Sequence, residues 1–483
     1  MFGYKDLREW IGQQGTGEVK TIEGADPDLE VGTMVQINSK NEGPALLFTK
    51  LKGYSDRFRI LTNSMANIRL LNFTFGLPVE NSIQETVEVL RVKAGEWAER
   101  AKDFPTEAVN SGPILENVEE GPQVDLSKFP VPMWHELDGG RYIGTGDCVI
   151  TRDPDTGQVN MGTYRVQLHD NQTVGFYISP GKHGRMHREK YFDRGQPCPV
   201  VMTFGCDPLT FAMSASEIPA GIFELDYLGA IRGESVPVIE GKVTGLPIPA
   251  NAEIAIEGFA DSKETMLEGP FGEWTGTYAS KSRQEPFLKA AALYYRNDPI
   301  LLGSPPAKGI YNDHAFFRCV WRSALLYSEI LKSGIPNVKG VWCPAFGGSR
   351  QLVIVSVKQS YPGHATEVGH VASQTRAGAY AGRYVVVVDD DINPYDMDDV
   401  MWAVCTRSEP VEMDIIKKAW STPLDPRIRK PTDSYHNSRG IIYAVKPYEW
   451  FSEFPTTNVA SEELRKEVFL KWAEHINGKW KGI

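Results

Sequence analysis

No C-x-x-C pair occurs in this chain, and its six cysteines (Cys148, Cys198, Cys206, Cys319, Cys343 and Cys405) show neither a zinc-site spacing nor a disulfide framework. Free thiols in a reducing compartment are the expectation. A run of about 18 uncharged apolar residues is missing too, so no stretch reads as a membrane-spanning helix. The opening MFGYKDLREW has no signal-peptide core, and a soluble cytoplasmic protein is expected. Basic excess is lacking: a formal net charge of -11 argues against nucleic-acid and anionic-membrane partners, leaving a small molecule or another copy of the chain. G-x-S-x-G, G-x-x-x-x-G-K-[ST] and a G-x-G-x-x-G after a strand are all absent, which removes the sequence support for hydrolase-elbow, P-loop and Rossmann readings. There is no internal repeat and no low-complexity tail.

What is present is ordinary in bulk, 41% hydrophobic and 23% charged, but 483 residues exceed the size at which one core keeps growing, so several domains are expected. Leu7, Trp10 and Ile11 stand at helical spacing before Gly15, and Val87, Leu90, Val92 and Trp97 give a second helical pattern within 83–102. Pro, Gly and Asn crowd residues 104–135, marking a connecting stretch. From 136 to 305, short apolar runs (148–151, 162–168, 175–178, 200–204, 252–259 and 287–294) alternate with turn residues, as in a β-barrel or sandwich. Residues 316–331 predict a helix, followed by a strand at 352–357, a helix at 365–381 and a strand at 384–388. That strand runs into Asp389-Asp390-Asp391, which reads either as acids delivered at a strand's C-terminal end, where open α/β sheets bind ligands, or as a capping, solvated loop. Leu464, Val468, Trp472 and Ile476 recur every four residues on a closing amphipathic helix, 461–476, suited to its own core or to a second subunit.

Glu268-Gly-Pro-Phe-Gly-Glu273 carries the most chemistry. Glycine and proline exclude a regular helix, and residues five apart in a straight strand face opposite ways, so the two carboxylates share a site only if Pro270-Phe271-Gly272 bends the chain. Paired carboxylates in unlike surroundings allow an ionised group beside a protonated one; a solvated acidic loop is the other reading. Asn160-Met-Gly-Thr-Tyr-Arg165 follows a turn and starts a strand. Arg165, if interior, needs a carboxylate such as Glu268 or Glu273, because a guanidinium stays charged; otherwise it is an exposed strand arginine. His183 and His187 have helical metal spacing, but Gly181 and Gly184 predict a loop. One histidine joined with Asn and Glu oxygens suits Mg²⁺ or Mn²⁺ better than zinc. The segment from Met213 to Glu224 offers that carboxylate, or else a structural loop.

Taken together, Asn160-x4-Arg165, Gly181-Lys-His183, the run from Gly195 to Pro208, Ser214 to Glu224, Glu268 to Glu273, Ser304-Pro-Pro306, Tyr361-Pro-Gly-His364, Asp389 to Ile392 and Ser438-Arg-Gly-Ile441 resemble, in order and spacing, the UbiD family of reversible decarboxylases, over about residues 10–450. The resemblance implies an α+β multidomain fold: an N-terminal α/β domain, a central split β-barrel like that of flavin reductases, and a C-terminal α/β domain with a terminal helix. Divisions at 1–115, 116–310 (the prenylated-FMN domain), 311–335 (a linking helix), 336–445 and 446–483 (an oligomer contact) follow. It implies a Glu-Arg-Glu network of Glu268, Arg165 and Glu273 with Glu273 as proton donor, and a Mn²⁺ or Mg²⁺ bridging the flavin phosphate to Asn160, His183 and Glu224. K⁺ is implied beside Ser214. Relatives often carry a phosphate-binding lysine in a K-A-G context where this chain reads Gln374-Thr-Arg376-Ala-Gly378, and Arg376 is the candidate for that role. The implied reaction removes CO₂ from an aromatic, heteroaromatic or α,β-unsaturated acid through a covalent adduct with prenylated FMN supplied by a UbiX-type flavin prenyltransferase, in a dimer or hexamer. Asn312, Asp313, His314, Thr422, Leu424 and His436 fall where the family builds its substrate pocket, or are satisfied loop residues. A carboxylate-pair glycosidase and a non-catalytic flavin- or anion-binding module are the rival readings.

Overall fold

The computed structural model describes residues 2–15, 17–311, 313–430, 432 and 434–475. Three sheets organise it. The first combines Val19–Glu23, Ala45–Thr49, Arg59–Thr62 and, from far along the chain, Ile300–Leu302. The second is antiparallel and runs in the order Thr173–Gly175, Phe287–Tyr295, Ile254–Ala260, Cys198–Phe204, Asp147–Arg152, Val159–Gly162, with Asn117–Glu120 also pairing to Phe287–Tyr295. The third places Leu352–Val357, Tyr384–Asp389 and His436–Ala444 parallel at its centre, with Val338–Trp342 and Asp414–Trp420 antiparallel at its edges. The fold is mixed α+β and built in several parts.

The helices follow their local signals. Ile83–Arg100 starts at Ser82, which closes a reciprocal capping box with Glu85, satisfying two donors that a helix start leaves open. Ala315–Lys332 crosses the middle of the molecule with Val320, Ala324 and Ile330 buried. Valines fill the central strand Tyr384–Asp389, as a parallel strand covered on both faces requires. Among the described residues no helix is long and apolar enough to cross a membrane.

Three local expectations change. The run 162–168 is not one strand: its ladder stops after Gly162 and resumes at Val166–Gln167, which frees Thr163, Tyr164 and Arg165 from the pleat. His183 begins a helix, His183–Asp193, rather than sitting in a loop; Gly181 takes φ +82 just before it, a value suited to glycine, and makes the entry turn. Asp389 ends its strand as expected, but it is buried against Arg407 and Gln359, while Asp391 pairs with Arg407 and Lys446. This ion network ties the third sheet to its flanking helix Met397–Arg407. Trp472 ends the last described helix, Glu462–Trp472, and Ile476 lies outside the described residues.

Candidate active site

Arg165 lies in the gap between its two strands and bonds both carboxylates of the acidic turn. Its Nε and Nη2 donate to the two oxygens of Glu268, 2.8 Å each, and Nη1 donates to Glu273. Side-chain exposures of 6%, 2% and 9% for Arg165, Glu268 and Glu273 decide between an exposed strand arginine and a buried network in favour of the network. Its partners overcome the burial that would otherwise lower the arginine's pKa, and the guanidinium is held firmly charged. Glu273 is pushed up by burial; Arg165 pulls it back, Glu268 adds to the rise and Arg283 opposes it. The two acids are therefore unlike: one is clamped by a two-pronged bond, and the other has its proton-bearing form favoured.

The bend that brings them together is built from the backbone outward. The chain leaves strand Met266–Glu268 through Gly269, φ +80, and a cis bond to Pro270. The Gly269 N–H donates to Gln167 and the Gly272 N–H to Asp138, at 3.0 Å each, and Pro270 accepts from Gly139 N at 2.7 Å. Phe271 packs on Tyr142, ring centres 4.3 Å apart, and the Tyr142 hydroxyl donates to Glu268. Arg165 also lies over the Tyr177 ring, 4.3 Å from its centre, a favourable cation–π placement.

Arg165, Tyr177, Phe271 and Glu273 line a cavity of about 900 Å³, which Asn160, His183, Ser214, Glu224 and Arg376 also line. Glu224 opens helix Glu224–Arg232 and accepts from Met161 N at 2.7 Å, locking that helix to the strand carrying Asn160. Burial raises its pKa to about 7, and the Asn160 Nδ2 is buried without a hydrogen-bond partner. Tyr164 ties the end of that strand to the helix start at His183, its hydroxyl accepting from Gly184 N at 3.4 Å. Burial, Arg376 and Lys182 lower the His183 pKa, keeping its ring a neutral donor. A buried carboxylate, an amide oxygen on the cavity wall and a neutral imidazole fit a hard divalent cation. Among the described residues no cluster of three or more His, Cys, Asp or Glu forms a metal site. His187 turns away to Thr151, so the helical histidine pair does not form a site. Ser214 bonds Thr163 at 2.6 Å on the cavity wall.

The six pocket residues separate. His314 and Leu424 line the cavity. Asp313 turns to the first sheet and accepts from the backbone and side-chain nitrogens of Asn63, 3.0 Å each. Thr422 is buried behind the wall, where its hydroxyl accepts from Leu424 N; His436 is exposed beside Ser434. Asn312 lies outside the described residues. Sequence reasoning passed over Lys182, Glu217, Arg318 and Arg350, which also line the cavity, and Arg322 behind them. The available signal was the pair Arg318 and Arg322, one helical turn apart in a stretch, 315–328, with no other charged residue.

This fold and site define a class of carboxy-lyase. Residues 13–90 match the N-terminal domain, 107–309 the Rift-related domain and 315–444 the C-terminal domain of 3-octaprenyl-4-hydroxybenzoate carboxy-lyase. The chain belongs to the UbiD family, and its activity class is that of a carboxy-lyase. Over 479 residues it is 32% identical to the pyrrole-2-carboxylic acid decarboxylase of Pseudomonas aeruginosa, covering 93% of each chain. It is 30% identical to the phenolic acid decarboxylase of Bacillus subtilis, covering 88% of this chain and 89% of the relative. Among solved structures it is similar to the UbiD-class enzyme HmfF from Pelotomaculum thermopropionicum in complex with FMN, with a TM-score of 0.83, 26% identity and coverage of 98% of this chain and 100% of that one.

Proposed function

We propose that this chain catalyses the reversible, non-oxidative decarboxylation of an aromatic, heteroaromatic or α,β-unsaturated acid with prenylated FMN bound in the cavity. The observation that carries this reading is the buried Glu268–Arg165–Glu273 network opening onto the same cavity as Asn160 and Glu224. Prenylated FMN, when bound, supplies the electron sink that lets the carboxylate depart as CO₂. Arg165, held flat by Glu268, orients the acid. Glu273 delivers the proton that takes the place of CO₂ on carbon, and recovers it from solvent; in the reverse direction it accepts that proton.

Asn160, His183 and Glu224 would hold Mn²⁺ or Mg²⁺ against the flavin phosphate, with K⁺ beside Ser214. Arg376 lies close enough to His183 to lower its pKa, which supports a phosphate role for its guanidinium. The antiparallel second sheet supports the split-barrel reading of residues 116–310, although Ile300–Leu302 pairs into the first sheet. A flavin prenyltransferase of the UbiX type supplies the cofactor. Exposed Leu464, Val468 and Trp472 on the terminal helix support a homo-oligomer, a dimer or hexamer. A glycosidase reading fits poorly, because both carboxylates are bonded to one arginine instead of flanking an open gap.

The test is co-expression with a flavin prenyltransferase, followed by CO₂ release from a panel of aromatic and heteroaromatic acids. Glu273→Gln should abolish turnover while flavin remains bound; turnover at the parent rate would remove Glu273 as donor. Dialysis against EDTA should release both metal and flavin, and full retention of flavin without metal would reject the Asn160, His183, Glu224 set.

A further inference from the structure

Two guanidiniums share one aromatic ring in the wall of the cavity. Arg165 lies 4.3 Å and Arg283 3.8 Å from the centre of the Tyr177 ring. Two like charges this near one ring centre repel unless each takes its own face, so the ring stands between the cations. Tyr177 is buried and follows strand Thr173–Gly175, whereas Arg283 opens strand Arg283–Glu285 and pairs with Glu268 in the ladder. The stack thus joins the arginine of the Glu-Arg-Glu network to the strand beside its bidentate partner.

Hydrogen bonds do not hold Arg283. Its Nε is 2.9 Å from Glu285 but off hydrogen-bond geometry, and among the described residues its Nη2 is buried without a partner. What orients this guanidinium is the ring. Arg165 is bonded along its edge to Glu268 and Glu273, which leaves the tilt of its plane to the groups against its faces, Tyr177 and, 5.4 Å from its ring centre, Phe271. Glu273 meets Arg165 through one nitrogen only, against two for Glu268, so it is the bond to Glu273 that a tilt breaks first.

We propose that Tyr177 is a positioning residue for the decarboxylation: its ring, held between Arg165 and Arg283, sets the tilt of Arg165 and so the single bond that aims Glu273. This rests on the decarboxylase reading above. The charged groups facing Glu273 are Arg165, Glu268 and Arg283, with Arg318 from helix Ala315–Lys332 and Lys430. Arg165 and Arg283 both lower its pKa, and Tyr177 touches both. Loss of the ring frees the two cations together and lets that pKa rise further.

The experiment follows kcat and KM against pH on the flavin-loaded holoenzyme, with the acid of the panel above that turns over fastest. It also titrates the Glu273 carboxyl without turnover, by difference infrared spectroscopy against Glu273→Gln. At equal flavin content, Tyr177→Leu should lower kcat about thirtyfold, keep KM within about twofold, and move both the basic limb of kcat and the carboxyl titration to higher pH. Tyr177→Phe keeps the ring and should hold kcat within about threefold of the parent, which separates the stack from misfolding. Arg283→Gln empties one face of the ring with Tyr177 in place and should move the titration the same way; combined with Tyr177→Leu, the shift should be less than the sum of the two. A higher KM with kcat unchanged would make Tyr177 a substrate contact and overturn the proposal. So would parent-like kcat and titration in Tyr177→Leu, or loss of activity in Tyr177→Phe, which would assign the role to the hydroxyl that meets Ser179. If no acid releases CO₂ but the infrared titration moves as stated, the stack stands and the decarboxylase reading falls.

Discussion

At the scale of single residues, one arginine holds two buried glutamates through unlike bonds. The bidentate bond to Glu268 leaves Arg165 a single remaining nitrogen for Glu273, whose pKa is raised by burial. A donor must be protonated, so kcat for decarboxylation should fall as pH rises through the Glu273 pKa. Arg283 is among the charges that lower that pKa; Arg283→Gln should raise it and move the basic limb of the kcat–pH profile to higher pH. An unmoved limb would mean another group sets it. Arg165→Lys keeps the charge but loses the planar fork, so kcat should drop about a hundredfold or more through misplacement alone, measured with flavin content held equal.

At the scale of elements, the acidic turn is positioned by a neighbouring loop as much as by its own sequence. Gly139 donates to Pro270, and a methyl group there would overlap the Gly269 carbonyl. Gly139→Ala should therefore displace residues 269–273 and cut kcat about a hundredfold, while calorimetry shows only a modest fall in thermal midpoint. Arg439 does comparable work in the third sheet. Buried within strand His436–Ala444, it donates to the carbonyls of Ser373, Ala379 and Trp420, and so fastens the segments that carry Arg376, Tyr380 and Trp420 to the cavity wall. Its motif, Ser438-Arg-Gly-Ile441, marks a structural clamp and no chemistry.

At the scale of the whole molecule, the cavity exists because the parts close on one another. Its lining draws on helix Ile83–Arg100, the second sheet and its loops, helix Ala315–Lys332 and the third sheet's connections. Asp313 is one of the ties: buried, bonded to Asn63 just past the strand Arg59–Thr62 of the first sheet, and raised by burial to a pKa of about 7. The folded protein keeps this proton over a range where an unfolded carboxyl has lost it. Its stabilising effect is full below about pH 4 and is lost as pH rises to about 7, a change on the order of a few kcal/mol. Asp313→Asn should flatten that slope, so that thermal midpoints across this range fall less in the variant than in the parent. An unchanged slope would remove Asp313 as its source.

Much of this was already legible along the chain, where local rules suffice. Strand and helix periods located several of the longer elements to within a few residues, and the glycines and proline between Glu268 and Glu273 announced a bend, because backbone preference and hydrophobic period are properties of short segments. The order of short motifs carried the family. What no segment could express was who faces whom. Asp313 and His314 are adjacent, yet one pairs with the first sheet and the other faces the cavity; Arg165 proved interior only because the ladder breaks beside it. Arg318 is one more charged residue in a helix until Glu217 is seen to be already taken by Arg322 and Arg350. Burial and partnership depend on contacts between residues far apart in sequence, and those come into being only when the three sheets and the long helix pack together.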